Sequence, residues 1–222
     1  MPTRSTCRRA RAFSLVELIA AIAVIAIVTG FVVPAVSGMG RSTSLVTGGN
    51  MVTNLANFAR QTALSKNTMT ALVVLGNQGT PEDYRTLAVL EYVAGGAGWS
   101  PVTGWQTLPD GIAVDTERAD STILDHSPVF PQPQTAGLAV PKNPPVFYRQ
   151  QQVRDGDGYA ARIFLPRGAL QNSQDPAQIR LVEGFVQAGQ VVRTRRDGSG
   201  KSANFFDVTI IGATGIAKVS RP

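Results

Sequence analysis

Residues 12–36 read Ala12-Phe13-Ser14-Leu15-Val16-Glu17 and then LIAAIAVIAIVTGFVVPAV, an apolar run from Leu18 to Val36. As a helix rising about 1.5 Å per residue, Phe13 to Val36 reaches about 36 Å, enough to cross about 30 Å of hydrocarbon. Ahead of it stands MPTRSTCRRARA, with Arg4, Arg8, Arg9 and Arg11 and no acidic residue; behind it the next cation is Arg41. This asymmetry predicts a single-pass segment with its N-terminus in the cytoplasm and the rest of the chain on the far side of the inner membrane. Glu17 is the anomaly. A carboxylate entering hydrocarbon costs about 2.5 kcal/mol or more, so it needs a cation to neutralise it. A secretory signal would want a small-residue cleavage site after the run, and the stretch VVPAVSG at 32–38 offers only a weak one.

Beyond the run the composition changes. Pro34 predicts a kink through its lost backbone hydrogen bond, and Gly38, Gly40, Gly48 and Gly49 predict a loosened helix. The helix resumes through MVTNLANFARQTALSKN, where Val52, Leu55, Ala56, Ala59 and Ala63 form one apolar stripe suited to lying on a sheet. Asn67 is a plausible C-terminal stop. From Met69 on, short β-rich runs take over: 70–75, 85–93, 102–108, 146–150, 160–165, 179–185 and 205–211, separated by turn signals such as Asp110-Gly111 and Ala213-Thr214-Gly215. Between Asp115 and Pro145 the chain is Pro-rich and aperiodic, which predicts a variable surface insertion. The expected organisation is a leader at 1–12, a transmembrane and assembly helix at 13–36, its continuation onto the sheet at 37–67, and a β-rich head at 68–222 with a variable loop at about 115–145. The fold class is α+β: a long N-terminal helix packed on a mostly antiparallel sheet.

The basic leader, Ala12-Phe13-Ser14-Leu15-Val16-Glu17 and the apolar helix together resemble the processing signature of type IV pilin-like proteins and type II secretion pseudopilins. The resemblance implies that a prepilin peptidase cuts between Ala12 and Phe13 and that Phe13 is then N-methylated. It also implies that Glu17 partners the amino terminus of a neighbouring subunit during filament assembly. Ala12 stands where the family usually has Gly. In the head, LANFARQTALSKN, Leu108-Pro109-Asp110-Gly111, Phe164-Leu165-Pro166-Arg167-Gly168 and Thr214-Gly215 resemble the pseudopilin H/FimT-like group. RQTALSKN, Ala203-Asn204-Phe205-Phe206-Asp207-Val208 and Arg221-Pro222 more closely resemble the Verru_Chthon cassette protein D family. The implied partners are prepilin peptidase, other pilin subunits and the membrane.

Other constellations carry weaker chemistry. Asp155-Gly156-Asp157-Gly158-Tyr159 starts like a calcium loop, but Tyr159 and Pro166 stand where the fifth and twelfth ligands would be, so a tight turn is the better reading. Asp197-Gly198-Ser199-Gly200-Lys201-Ser202 imitates a phosphate loop, but Arg195 stands where its first glycine belongs. Arg193, Arg195, Arg196 and Lys201 form a basic cluster near the C-terminus, with Lys218 and Arg221 also basic. Some FimT-like minor pilins bind DNA through such residues. The resemblance therefore implies an alternative, a DNA-binding head gaining affinity by counterion release; a solvated loop is the simpler reading. Trp99 and Trp105 suggest either a stacking platform or core aromatics. One Cys and one His, His126, exclude a multi-cysteine zinc site and a histidine relay, and no metal or cofactor is expected. No G-x-S-x-G, H-E-x-x-H or paired-carboxylate motif is present, so a structural subunit is expected rather than an enzyme.

The whole chain of 222 residues has 21 basic and 15 acidic residues, a formal net charge of +6. Taking the leader's four arginines away leaves 17 basic against 15 acidic side chains, and Cys7 leaves with them. The basic balance is mainly a topology signal.

Overall fold

The computed structural model describes residues 15–76, 78–93, 98–117, 119–124, 147–153 and 158–221, with the side chains at 28–41, 98 and 152 outside the description. Two compact units meet between Gly40 and Arg41. One helix, α1 (Leu15–Lys66), is assigned through both. In the first unit the described side chains, Leu15 to Ile27, are all exposed.

The second unit is α+β. Its strands are β1 (Thr70–Leu75), β2 (Thr86–Val93), β3 (Gly98–Pro101), β4 (Gln106–Thr107), β5 (Ile112–Val114), β6 (Phe147–Tyr148), β7 (Gln151–Gln152), β8 (Tyr159–Phe164), β9 (Ala177–Gln187), β10 (Gln190–Arg193), β11 (Phe205–Ile210) and β12 (Ala217–Ser220). Among the described residues they form two five-stranded antiparallel sheets and a small hairpin. The first sheet runs β3-β2-β1-β8 with β4 also on β2; the second runs β10-β9-β11-β12 with β5 also on β9; β6 and β7 pair alone.

The stripe expected on α1 is the one that is buried. Val52, Leu55, Ala56, Ala59 and Ala63 pack with Leu72, Val74, Leu87 and Val89 of the first sheet and Ile179, Leu181, Phe206, Val208 and Ile210 of the second. Small residues recur in this stripe because the helix lies close to the strands. A second cluster on the opposite face of the first sheet joins Ala71, Val73, Leu75, Leu90, Trp99, Tyr159, Ala161 and Ile163, with Trp105 and Tyr148 packed against it. Strand β1 is thus covered on both faces, which explains its unbroken apolar sequence ALVVL after Thr70.

Four sequence expectations change. The helical assignment runs without interruption through Pro34 and the four glycines. Gly48 and Gly49 are contact points: a Cβ on Gly48 would meet Ile112 and Leu108 at 3.4 Å, and one on Gly49 would meet the Phe206 ring at 2.2 Å. The strand expected over 102–108 is reduced to Gln106–Thr107, and β3, β5, β7, β10 and β12 form where none was expected, all of them short. The start of the expected surface insertion is interior: Asp115, Ser121, Ile123 and Leu124 are buried, with a 3-10 turn at Thr122–Leu124. That turn is tied to β9, because Gln178 N–H donates to Thr122 Oγ1 at 2.8 Å. Asn67 does end α1: its φ is +50°, and Thr68 N–H donates back to Ala63 O.

Candidate functional site

Two regions bear on function. The first is the N-terminal end of α1. Ala12 and Phe13, the expected cleavage and methylation positions, lie outside the described residues. Glu17 lies on α1, two residues after the first described residue, Leu15. Around it Leu15 and Val16 are 75% exposed, and Leu18, Ile19, Ile22, Val24, Ile25 and Ile27 are also exposed. A run of exposed large apolar side chains on all sides of one helix segment marks a lipid or subunit contact. Among the described residues no helix is long and apolar enough to cross a membrane. In the sequence the apolar run continues from Val28 to Val36, whose side chains lie outside the description.

The second region is the basic stretch after β10. The structure separates the four residues that sequence grouped together. Arg193 is largely buried and taken up by carboxylates: its Nε lies 3.0 Å and its Nη2 2.8 Å from the two oxygens of Asp115, and Nη2 also meets Glu117. Those hydrogen bonds raise its already high pKa, and they hold Glu117 below the ordinary carboxylate value, first through the hydrogen bond and then through charge. Arg193 is therefore an internal ion-pair partner rather than part of an outward basic patch. Arg195, Arg196 and Lys201 remain exposed.

The loop carrying them is folded around Asp197. Its Oδ1 accepts from Ser199 N–H at 2.9 Å, Ser199 Oγ at 2.7 Å and Lys201 N–H at 2.9 Å, and its pKa is lowered mainly by the serine hydroxyl. The stretch that imitated a phosphate loop is thus a turn whose N–H groups point at its own aspartate. Both ends of the loop are held by Glu183. Its backbone oxygen accepts from Thr194 N–H at 2.9 Å, and its Oε1 accepts from Asn204 Nδ2 at 2.9 Å.

Sequence reading missed the acidic counterpart of this region. Asp115, Glu117 and Asp120 bring carboxylate oxygens within 4.8 Å of one another. Each is already faced by a guanidinium: Arg193 meets Asp115 and Glu117, and Arg180 meets Asp120. Arg180 also reaches Asp207 twice at 2.8 Å and lies 4.1 Å over the Phe205 ring. The sequence signal was the outward parity of Arg180 on β9 and Asp207 on β11, but it becomes legible only once the strand register is known.

Of the remaining expected residues, Arg221 lies 4.8 Å over the Phe206 ring, and Lys218 is exposed on β12. Trp99 is 5% exposed and stacks edge-on against Tyr92, so it is a core residue. Trp105 is only partly buried and donates its Nε1–H to Phe147 O at 2.7 Å. Both tryptophans belong to the apolar cluster on the outer face of the first sheet, Trp99 within it and Trp105 packed against it. Asp155, Asp157 and His126 lie outside the described residues.

Residues 7–33 match a family model described as the prokaryotic N-terminal methylation motif. No curated protein matches the sequence. Among solved structures, the chain is similar to the minor pseudopilin EpsH from the type 2 secretion system of Vibrio cholerae (11% identity, TM-score 0.40, covering 81% of this chain and 96% of that one). It is also similar to the type IV minor pilin FimU of Pseudomonas aeruginosa (9% identity, TM-score 0.42, covering 81% and 89%).

Proposed function

We propose that the chain is a type IV pilin-like minor subunit, a structural component of an envelope filament or type II secretion-like machine. The observation that carries this reading is the methylation-motif match over residues 7–33, which contains Phe13, Glu17 and the exposed apolar start of α1. In this reading the arginine-rich leader holds the precursor's N-terminus in the cytoplasm. Prepilin peptidase cuts between Ala12 and Phe13, and the new Phe13 amine is methylated. Glu17 then meets the amino terminus of a neighbouring pilin-like subunit. Lipid tails are as apolar as leucine side chains, so moving the helix from bilayer to bundle changes its environment little. The charge pair, by contrast, must form for Glu17 to leave the interface, and it thereby selects one register.

The finer resemblance to the Verru_Chthon cassette protein D family, carried by RQTALSKN and the Ala203–Val208 block, belongs to this proposal. A nucleic-acid-binding head is the alternative, and it rests on Arg195, Arg196 and Lys201 without Arg193. Retention on DNA measured against salt concentration separates the two readings.

The direct test is intact mass and N-terminal analysis of the protein purified from membranes. A chain beginning at N-methylated Phe13 is the expected result. A chain beginning at Met1, or after Gly38, overturns the proposal.

A further inference from the structure

The head sorts its cations into paired and unpaired sets, and one unpaired set lines a trough. Lys66 meets Glu91, Arg85 meets Asp110, Arg149 meets Glu82, Arg180 meets Asp120 and Asp207, and Arg193 meets Asp115 and Glu117. Arg60, Arg167 and Arg221 have no carboxylate partner among the described residues. Arg60 donates its Nε–H to a backbone oxygen, Thr214 O, and Arg221 lies over the Phe206 ring. The acids left over are engaged elsewhere: Asp83 accepts from Gly79, Asp175 from Asn172, Glu183 from Asn204, and Asp197 from its own loop.

Close contacts place these cations along one trough between α1 and β12. At one end the Phe206 ring carries Arg221 and touches Gly49. At the other, Arg60 holds Thr214 O at 2.7 Å, and a Cβ on Gly168 would lie 3.2 Å from the Leu64 side chain, next to the exposed Arg167. A Cβ on Gly215 would sit 2.0 Å from Gly168 O, so that end is closed by backbone. From Gly49 to Leu64, α1 therefore runs antiparallel to β12. Ala217 packs on the core and Arg221 on Phe206, so Val219, of the same parity, faces the helix side of the sheet. Lys218 has the opposite parity and faces away. Leu64, Ile216 and Val219 are 43%, 44% and 46% exposed, which leaves three apolar side chains open among the cations.

We propose that this trough docks an acidic, apolar segment of a partner protein. Its carboxylates meet Arg60, Arg167 and Arg221, and its apolar side chains cover Leu64, Ile216 and Val219. Charge decides the occupant. A second copy would bring a trough of the same sign, and the described acids of its head are already engaged. A nucleic acid would answer the cations but leave the apolar side chains against phosphate, and no aromatic ring stands among them for a base to stack on. A segment alternating carboxylates with Val, Leu or Ile satisfies both halves of the surface. This inference rests on the head alone and does not depend on Glu17 or on processing at Phe13.

The test uses the full-length chain in a nonionic detergent and a fluorescent peptide alternating Glu with Val and Leu, read by anisotropy against micelles alone. Binding should weaken as salt is added. Arg167→Glu combined with Val219→Glu changes two exposed positions, so the thermal midpoint should hold while affinity falls about tenfold or more. Arg221→Glu should weaken binding in the same direction. Arg195→Glu combined with Arg196→Glu, on the other unpaired cluster, should bind as the parent does. A peptide alternating Glu with Ser should bind about tenfold more weakly than the apolar one. Equal binding of the two peptides would show bare charge attraction and overturns the proposal. So does a loss at Arg195 and Arg196 as large as that at Arg167 and Val219, displacement of the peptide by an equal concentration of single-stranded DNA, or no binding at low salt.

Discussion

The ring of Phe206 on β11 lies against the backbone of Gly49 on α1 so closely that a Cβ at Gly49 would sit 2.2 Å from its Cε1. No real Cβ is that close to a carbon it is not bonded to, and the ring is fully enclosed in the core, so neither side can yield cheaply. Gly49→Ala should destabilise the head by about 1–3 kcal/mol or more through overpacking. The neighbouring Gly48→Ala is the control: its Cβ would meet Ile112 and Leu108 at 3.4 Å, an ordinary contact. Because alanine favours a helix by about 1 kcal/mol over glycine, Gly48→Ala should be neutral or stabilising. Denaturant midpoints of the two variants check the pair, and equal losses would contradict it.

Arg193 should behave as a folding residue. Asp115→Ala leaves its guanidinium without its bidentate partner inside the head, and breaking such a pair costs about 3 kcal/mol. Arg193→Ala should likewise lower stability, whereas Arg195→Ala, Arg196→Ala and Lys201→Ala should each stay within about 0.5 kcal/mol of the parent. A double-mutant cycle between positions 115 and 193 measures the coupling directly.

Acid should reveal Glu117. Arg193 holds its carboxylate below the ordinary 4.5. Above 4.5 the carboxylate is charged in both folded and unfolded chains, and its stabilising contribution is complete. As the pH falls from there through the depressed folded value, the unfolded chain binds the proton first and the contribution is lost. Thermal midpoints of the parent should fall more steeply than those of Glu117→Gln between about pH 6 and about pH 3. Parallel curves would show that the pair adds nothing to stability.

Glu17 should affect assembly and not insertion. Glu17→Leu removes a carboxylate from the edge of an apolar helix, which makes membrane insertion no harder. It also removes the group proposed to meet the neighbour's amine. Fractionation should find the variant in the membrane at parental levels but missing from sheared filaments. Its normal incorporation would sink the assembly role.

The sequence was most legible where one residue's environment repeats with the period of its own element. Val52, Leu55, Ala56, Ala59 and Ala63 announced a helix face, and TALVVL announced a strand, because burial there follows local geometry. It was least legible where a residue's role depends on a distant partner. Gly49 reads as a helix breaker until Phe206 is placed against it. Arg193 reads as a free cation until β10 brings it to Asp115, and nothing local distinguishes it from Arg195. The 115–124 stretch lacked periodicity, yet a single 3-10 turn lets Ile123 and Leu124 fill the seam next to β8 and β9. The prolines themselves begin at Pro128, and the surface-loop reading they suggest was wrongly extended back to Asp115.

The contact between Gly49 and Phe206 also sets an order of events in time. The apolar stripe of α1 is made early, while β11, which closes one side of the core over it, lies near the end of the chain. At a synthesis rate of about 5–20 residues per second, that stripe waits on the order of ten seconds for its cover. During that interval the stripe holding Val52 and Leu55 can be covered only in part, by the first-sheet residues Leu72, Val74, Leu87 and Val89. Folding of the head is therefore an all-late step: the strands that pair on β1 can gather first, but helix docking is completed by the last strands to emerge, and damage near residue 206 strands everything made before it.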